Sequence, residues 1–250
     1  MKHLLILIFL LVSFNAKADD KLILMEQANK FYNEGDFIPA IETYETILNS
    51  GFESSALYFN LGNAYFKVNN LPMAILNFER AKKITPYDPD ILFNLELANS
   101  RIVDKIEPLP EFFIFTWWKL LVNSRSLDQW ATISVICFLF ILLMILIFLL
   151  SRVIWLRKFG FWMGIVLIVV FAGSFTLANQ RYIQFRKQAE AIVFTPTVTV
   201  KSSPRDNSTD IFVIHEGIKV QITNQVGEWF EIRIPDGSKG WIRESDFRRI

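Results

Sequence analysis

The sequence predicts a multidomain chain: an all-α helical-repeat domain, a two-helix transmembrane hairpin and a C-terminal all-β domain of small-barrel type. Three observations predict it. Residues 21–106 are internally similar at a period of 34 residues. Two uncharged apolar runs, 131–150 and 159–178, are each long enough to cross a ~30 Å hydrocarbon core at ~1.5 Å per residue. From Ala191 onward, short alternating strands are separated by turn signals.

Composition narrows the function before any motif does. The chain is 52% hydrophobic and 20% charged, too apolar for an ordinary soluble protein and too charged for a polytopic one, so the apolar residues sit in blocks. With 26 Lys+Arg against 25 Asp+Glu there is no cation excess to neutralise phosphates, so no nucleic-acid partner is expected. Cys137 is the only cysteine, which excludes an intramolecular disulfide and a Cys-rich zinc site. Beyond the N-terminal segment the only histidine is His215, so neither a Ser-His-Asp nor a Cys-His set can be assembled in the flanking domains. No catalytic residue, cofactor or metal is expected, and the chain is read as a non-enzyme.

The N-terminus, residues 1–18, reads as a secretory signal. Lys2 and His3 precede an apolar core from Leu4 to Val12, and Ala16-Lys17-Ala18 has the small-x-small cleavage pattern. Export would place the following domain outside the cytoplasm.

In the domain at 19–106, Ala28 and Gly62, Phe31 and Tyr65, Ala40 and Ala74, and Tyr44 and Phe78 are each 34 apart. Small residues at 28/62 and 40/74 suit close helix crossings, and the aromatics fill the space beside them. Gly35-Asp36 and Asn69-Asn70 supply turns. Pro86 stops a helix, and Asp88-Pro89-Asp90 starts the next with an N-terminal acid. Helices are predicted over 21–34, 37–49, 55–68, 71–84 and 89–106, giving two repeats and a capping helix. The residues Tyr58, Leu61, Gly62, Tyr65, Ala74, Phe78, Ala81 and Pro86 resemble the tetratricopeptide repeat in type and spacing. The resemblance implies a partner groove along the first helix of each pair. Its candidates are Asn29, Asn60, Asn63 and Asn94, with Tyr32, Phe59, Phe66 and Phe93 beside them. An Asn side chain can both donate to and accept from a peptide backbone; the same row is also compatible with repeat consensus and no ligand. The family's carboxylate clamp would need cations where this chain has Met25, Asp90 and Asn94. Residues 19–107 hold 14 acids and 8 bases, a mild preference for a basic partner segment.

Pro108 and Pro110 end the helical domain, and the aromatic run after them is read as an interfacial linker over 107–128. Transmembrane helix 1 is predicted at 129–151, a cytoplasmic loop at 152–158, helix 2 at 159–178 and a linker at 179–189. The loop carries Arg152, Arg157 and Lys158 with no acid, which suits the cytoplasmic side. Together with the signal peptide this predicts a two-pass protein of the inner membrane, with both flanking domains periplasmic.

Over 190–250, the residues Val198, Pro204, Glu216-Gly217, Val220, Trp229, Ile232, Asp236-Gly237, Gly240-Trp241-Ile242 and Ile250 resemble a bacterial SH3 domain. The resemblance implies binding to peptidoglycan or to peptides. Trp229, Phe230 and Trp241 are the candidates for a binding face, although tryptophan at such positions serves a core as often.

The order of these parts, with the stretches at 94–100 and 104–110 and the hairpin, resembles the BatE family of the Bacteroides aerotolerance (Bat) operons. That resemblance implies a membrane scaffold whose partners are membrane or periplasmic proteins: von Willebrand A-type Bat proteins and a MoxR-class ATPase system. The implied role is oxygen or stress tolerance, with no catalytic residues.

Overall fold

A computed structural model describes residues 21–106, 109, 112–187 and 189–250. The signal segment lies outside the described residues. Two compact units result: one joins the N-terminal helices to the C-terminal sheet, and the other runs from 109 to the end of the second apolar helix.

The first unit begins with helices α1 (residues 21–34), α2 (Phe37–Asn49), α3 (Ser55–Lys67), α4 (Leu71–Ile84) and α5 (Pro89–Asn99). Capping fixes their starts. The Ser54 hydroxyl accepts from Leu57 N–H, the Asn70 side chain from Met73 N–H, and the Asp88 carboxylate from the N–H groups of Asp90 and Ile91. Gly35 and Asn69, 34 residues apart, both turn the chain with positive φ, at 88° and 60°. The pairs 34 apart sit in matching places. Ala28, Ala40 and Ala74 are fully buried, and a Cβ on Gly62 would lie 2.7 Å from the Phe78 ring. Gly62 is therefore the position where α3 approaches α4 closely enough to leave no room for a side chain.

Helix α5 stops at Asn99, short of the predicted 106. The following residues leave the helix because they are needed elsewhere: Ile102 packs on the helical core, and Asp104 and Ile106 meet the C-terminal sheet.

That sheet has seven antiparallel strands: β1 (Glu190–Val193), β2 (Thr197–Lys201), β3 (Asp210–His215), β4 (Lys219–Val226), β5 (Trp229–Arg233), β6 (Lys239–Arg243) and β7 (Phe247–Arg249). Their order is β3-β2-β6-β5-β4-β1-β7. Alternate residues of every strand meet in one cluster: Ala191, Val193, Val198, Val200, Ile214, Val220, Phe230, Ile232, Ile242 and Phe247. First and last strands in the order thus share one core, as the period of two along each strand requires.

Strand β1 serves two cores. Ala191 and Val193 point into the sheet's core, while Ile192 between them is fully buried in the core of the helices. Phe194 and Ile250 pack beside it. A continuous apolar run of this kind is what a strand covered on both faces requires.

The second unit holds α6 (Phe113–Asn123), α7 (Leu127–Leu150) and α8 (Ile154–Lys187). Two helices, Leu127–Leu150 and Ile154–Ile183, are long and apolar enough to cross a membrane. Ser126 opens α7 with a capping box shared with Gln129. The two helices run antiparallel: Ser134 meets Ser174, Phe138 meets Phe171 and Phe148 meets Phe161. Helix α8 starts at Ile154, so most of the predicted 152–158 loop is its first turns and the connection shrinks to residues 151–153. No Pro or Gly lies between Ile154 and Phe159, and an unbroken helix satisfies every backbone group along it. The predicted linker at 107–128 likewise contains α6, a helix whose Phe113, Ile114, Phe115, Trp117, Leu120 and Leu121 are all exposed.

Candidate functional site

The sheet is fastened to the helices by polar contacts as well as by Ile192. The Lys219 ammonium lies 2.9 Å from both Glu79 of α4 and Glu190 of β1. Glu79 is 91% shielded at its side chain, so this lysine is the charge that makes its burial tolerable. Desolvation pulls the Lys219 pKa down, but the two carboxylates outweigh it and hold the pKa above its usual value. At the other end of the contact, Asp104 accepts from the His215 backbone N–H at 2.6 Å and meets its Nδ1 at 2.8 Å. Arg80 and Lys83 of α4 donate to the carbonyls of Arg249 and Ile250. Sequence reading missed all of these; apart from Lys219–Glu190, each joins residues more than 100 positions apart.

The opposite polar feature of this unit is a ladder of carboxamides on the first helices of the pairs. Asn29 Oδ1 accepts from Asn60 Nδ2 at 3.0 Å and from the Tyr44 hydroxyl at 2.6 Å. Asn63 Oδ1 accepts from Asn94 Nδ2 at 2.7 Å. Both Asn pairs are 31 residues apart and link consecutive first helices. Asn29, Tyr32, Asn33, Tyr44, Asn60 and Asn63 line a cleft of ≈ 270 Å³. Burial raises the pKa of Tyr32 and pushes that of Tyr44 up to about 12, so both stay neutral donors at ordinary pH.

Of the eight groove residues expected from sequence, the structure gathers Asn29, Tyr32, Asn60 and Asn63 around the cleft, and Asn94 joins through Asn63. Phe59 instead packs on Phe78 at 6.0 Å, and Phe66 lies under the Arg101 guanidinium at 4.4 Å. Phe93 is 65% exposed and away from the cleft lining. Asn33 and Tyr44 were not anticipated. Asn33 is one helical turn beyond Asn29, a spacing that puts both on one face; Tyr44 was read only as filler at a crossing, yet its hydroxyl reaches the ladder.

On the sheet, the three expected binding-face residues separate. Phe230 is fully buried, edge-on to Phe247 at 5.1 Å, and is corrected from binding face to core. The alternation Trp229-Phe230-Glu231-Ile232-Arg233 already contained this answer, since Phe230 and Ile232 share a face. Trp229 and Trp241 are half-buried on the outer face, where Trp229 pairs with Arg243 and Glu231 with Trp241 across β5 and β6. The Arg243 guanidinium stacks over the Trp229 ring at 5.1 Å and is itself tied to Asp206. The face is thus two indoles framed by Arg243, Glu231 and Lys201, an amphipathic surface suited to sugars or peptide.

A short-stranded antiparallel sheet wrapped on one core, with indoles on its outer face, has the architecture of a small β-barrel domain. Residues 196–247 match the family model of the bacterial SH3 domain. No curated protein matches the chain.

Proposed function

We propose that the chain is a non-enzymatic, membrane-anchored scaffold. In this reading residues 21–106 are tetratricopeptide repeats, and the Asn29–Asn60–Asn63–Asn94 ladder holds an extended segment of a partner protein by its backbone amides. The observation that carries the reading is the shared strand: with Ile192 in the helical core and Lys219 clamped by Glu79 and Glu190, the cleft and the Trp229/Trp241 face belong to one body. An antiparallel membrane hairpin would leave both of its flanking segments on one side of the bilayer. The segment 1–18 would export that body, giving an inner-membrane protein with its folded unit in the periplasm. The likeness to the BatE family suggests von Willebrand A-type Bat proteins and the MoxR-class ATPase system as the partner set, in oxygen or stress tolerance.

Cross-linking in cells followed by purification of the full chain is the direct check. Asn60→Leu with Asn63→Leu should remove a membrane or periplasmic partner that the unaltered chain captures. An unchanged partner set overturns the groove.

A second reading is favoured by the bacterial SH3 match and the outer-face indoles: the sheet attaches the chain to peptidoglycan. The detergent-solubilised full chain should then pellet with purified sacculi, and Trp229→Ala with Trp241→Ala should abolish pelleting. Failure of the unaltered chain to pellet removes this reading.

A further inference from the structure

Helix α6 does not lie free beside the hairpin. Val122 is fully buried, the Trp130 Nε1–H donates to the Val122 carbonyl at 3.1 Å, and Arg181 of α8 donates to Asn123 Oδ1 at 3.0 Å. These contacts pin the C-terminal end of α6 against α7 and α8. Further along α6 the contact opens into an apolar groove of ≈ 370 Å³, lined by Trp118, Leu121, Ala172, Gly173, Thr176 and Leu177. The Thr176 hydroxyl is spent on the Ala172 carbonyl, so the groove presents almost no hydrogen-bonding group. Gly173 has nothing within 4 Å of where its Cβ would stand.

Charge lies at one end of this groove. Arg181 is one helical turn beyond Leu177, about 6 Å along the axis. Arg125 follows the pinned end of α6, its guanidinium 5.9 Å from the Trp130 ring. Among residues 112–130 and 172–183 the cations are Lys119, Arg125 and Arg181, against the single acid Asp128. An apolar slot on the flank of a membrane helix, with Arg181 one turn further along α8 and Arg125 just past the pinned end of α6, has the form of an acyl chain below a phosphate.

We propose that this groove binds one anionic phospholipid, its acyl chain between α6 and α8 and its headgroup phosphate at Arg125 and Arg181. The proposal rests on the reading of α7 and α8 as membrane spans. The site gives α6 a lipid as its third wall, so the helix that follows the exported helices is held at the bilayer surface by headgroup recognition as well as by its exposed aromatics.

The experiment is native mass spectrometry of the full chain released from vesicles of phosphatidylglycerol and phosphatidylcholine in equal parts. Carbonate washing of the same vesicles separates the two levels of the argument: a chain that washes off overturns the membrane reading itself. In a carbonate-resistant chain, phosphatidylglycerol should be retained over phosphatidylcholine by about tenfold. Gly173→Leu fills the groove where space is free, and should lose the bound lipid while the hairpin stays intact. Arg125→Gln, which leaves the Arg181–Asn123 bond alone, should reduce the preference about threefold, and adding Arg181→Gln should abolish it. Equal retention of the two lipids, or undiminished retention in Gly173→Leu, overturns the lipid site. So does a Gly173→Leu chain that keeps its lipid but loses a cross-linked partner helix, since the groove then holds protein.

Discussion

The pair α3–α4 and the pair α7–α8 are both antiparallel helix hairpins, and both cross where a side chain is missing. In the first, Gly62 admits the Phe78 ring; in the second, a Cβ on Gly160 would stand 3.0 Å from the Met144 carbonyl and 3.3 Å from the Phe148 amide. Beyond the crossing they are opposites. In α3–α4 the large residues Leu57, Leu61, Ile75, Leu76 and Phe78 are all buried. In α7–α8 many large residues, among them Val135, Phe138, Leu142, Leu146, Val166 and Val169, are exposed; a few, such as Ile141, Met144 and Leu177, are buried, along with Ser134 and Ser174, which are bonded to each other at 3.0 Å. Close packing at a small residue is common to both pairs; apolar bulk turned outward is what a pair long and apolar enough to cross a membrane would present to hydrocarbon.

The largest expected effect tests that contrast with one substitution made twice. Phe78→Ala should destabilise the helical unit by about 3–5 kcal/mol in denaturant unfolding of the full chain, because the ring is buried and leaves a cavity. Phe138→Ala should cost the hairpin no more than about 1 kcal/mol, since that ring is 48% exposed and, in a bilayer, lipid would replace its contacts. Equal costs would end the comparison.

Next in size is the joint between helices and sheet. Lys219→Met leaves Glu79 and Glu190 without their cation and should weaken the joint by about 1–3 kcal/mol, read as faster hydrogen exchange in β1 and α4. Because the folded pKa of Lys219 is raised, its contribution is complete below the ordinary lysine value of 10.5 and is lost as pH climbs through the raised value. Exchange protection in β1 should therefore be flat through neutrality in the unaltered chain and fall only at strongly alkaline pH. A drop near neutrality would shift the weight of the joint from Lys219 to other groups.

The smallest effect is in the hairpin. Ser134→Ala removes one interhelical hydrogen bond and should cost about 0.6 kcal/mol in a detergent-unfolding titration. A cost several times larger would mean that the membrane pair depends on polar contact and not on its small-residue crossing.

Much of the molecule was legible locally. The 34-residue spacing of Ala28/Gly62 and Ala40/Ala74 marked the crossings, Gly35 and Asn69 marked the turns, and the two uncharged runs marked the hairpin. Four of the six cleft residues were legible as well, because Asn29, Tyr32, Asn60 and Asn63 lie on successive first helices. Phe230 went astray where alternation was outvoted by a preference for aromatic binding faces. Phe59 and Phe66 did so because helix periodicity alone does not say which flank of a face a neighbouring helix covers.

What the sequence by itself determined is most of the elements and their apolar sides: five helices with small residues at their crossings, a hairpin of membrane-spanning length, and six of the seven short strands, with a bacterial SH3 pattern; β7 was not anticipated. Only the tertiary structure decided that β1 belongs to two cores, that α5 ends early so that Asp104 can meet His215, and that Lys219 stands between Glu79 and Glu190. The physical reason is range. Periodicity and capping act within a few residues, and the chain records them in its own order. The burial of Ile192 and the pairing of Lys219 depend on surfaces about 90 to 150 residues apart arriving together, and no local spacing encodes that meeting.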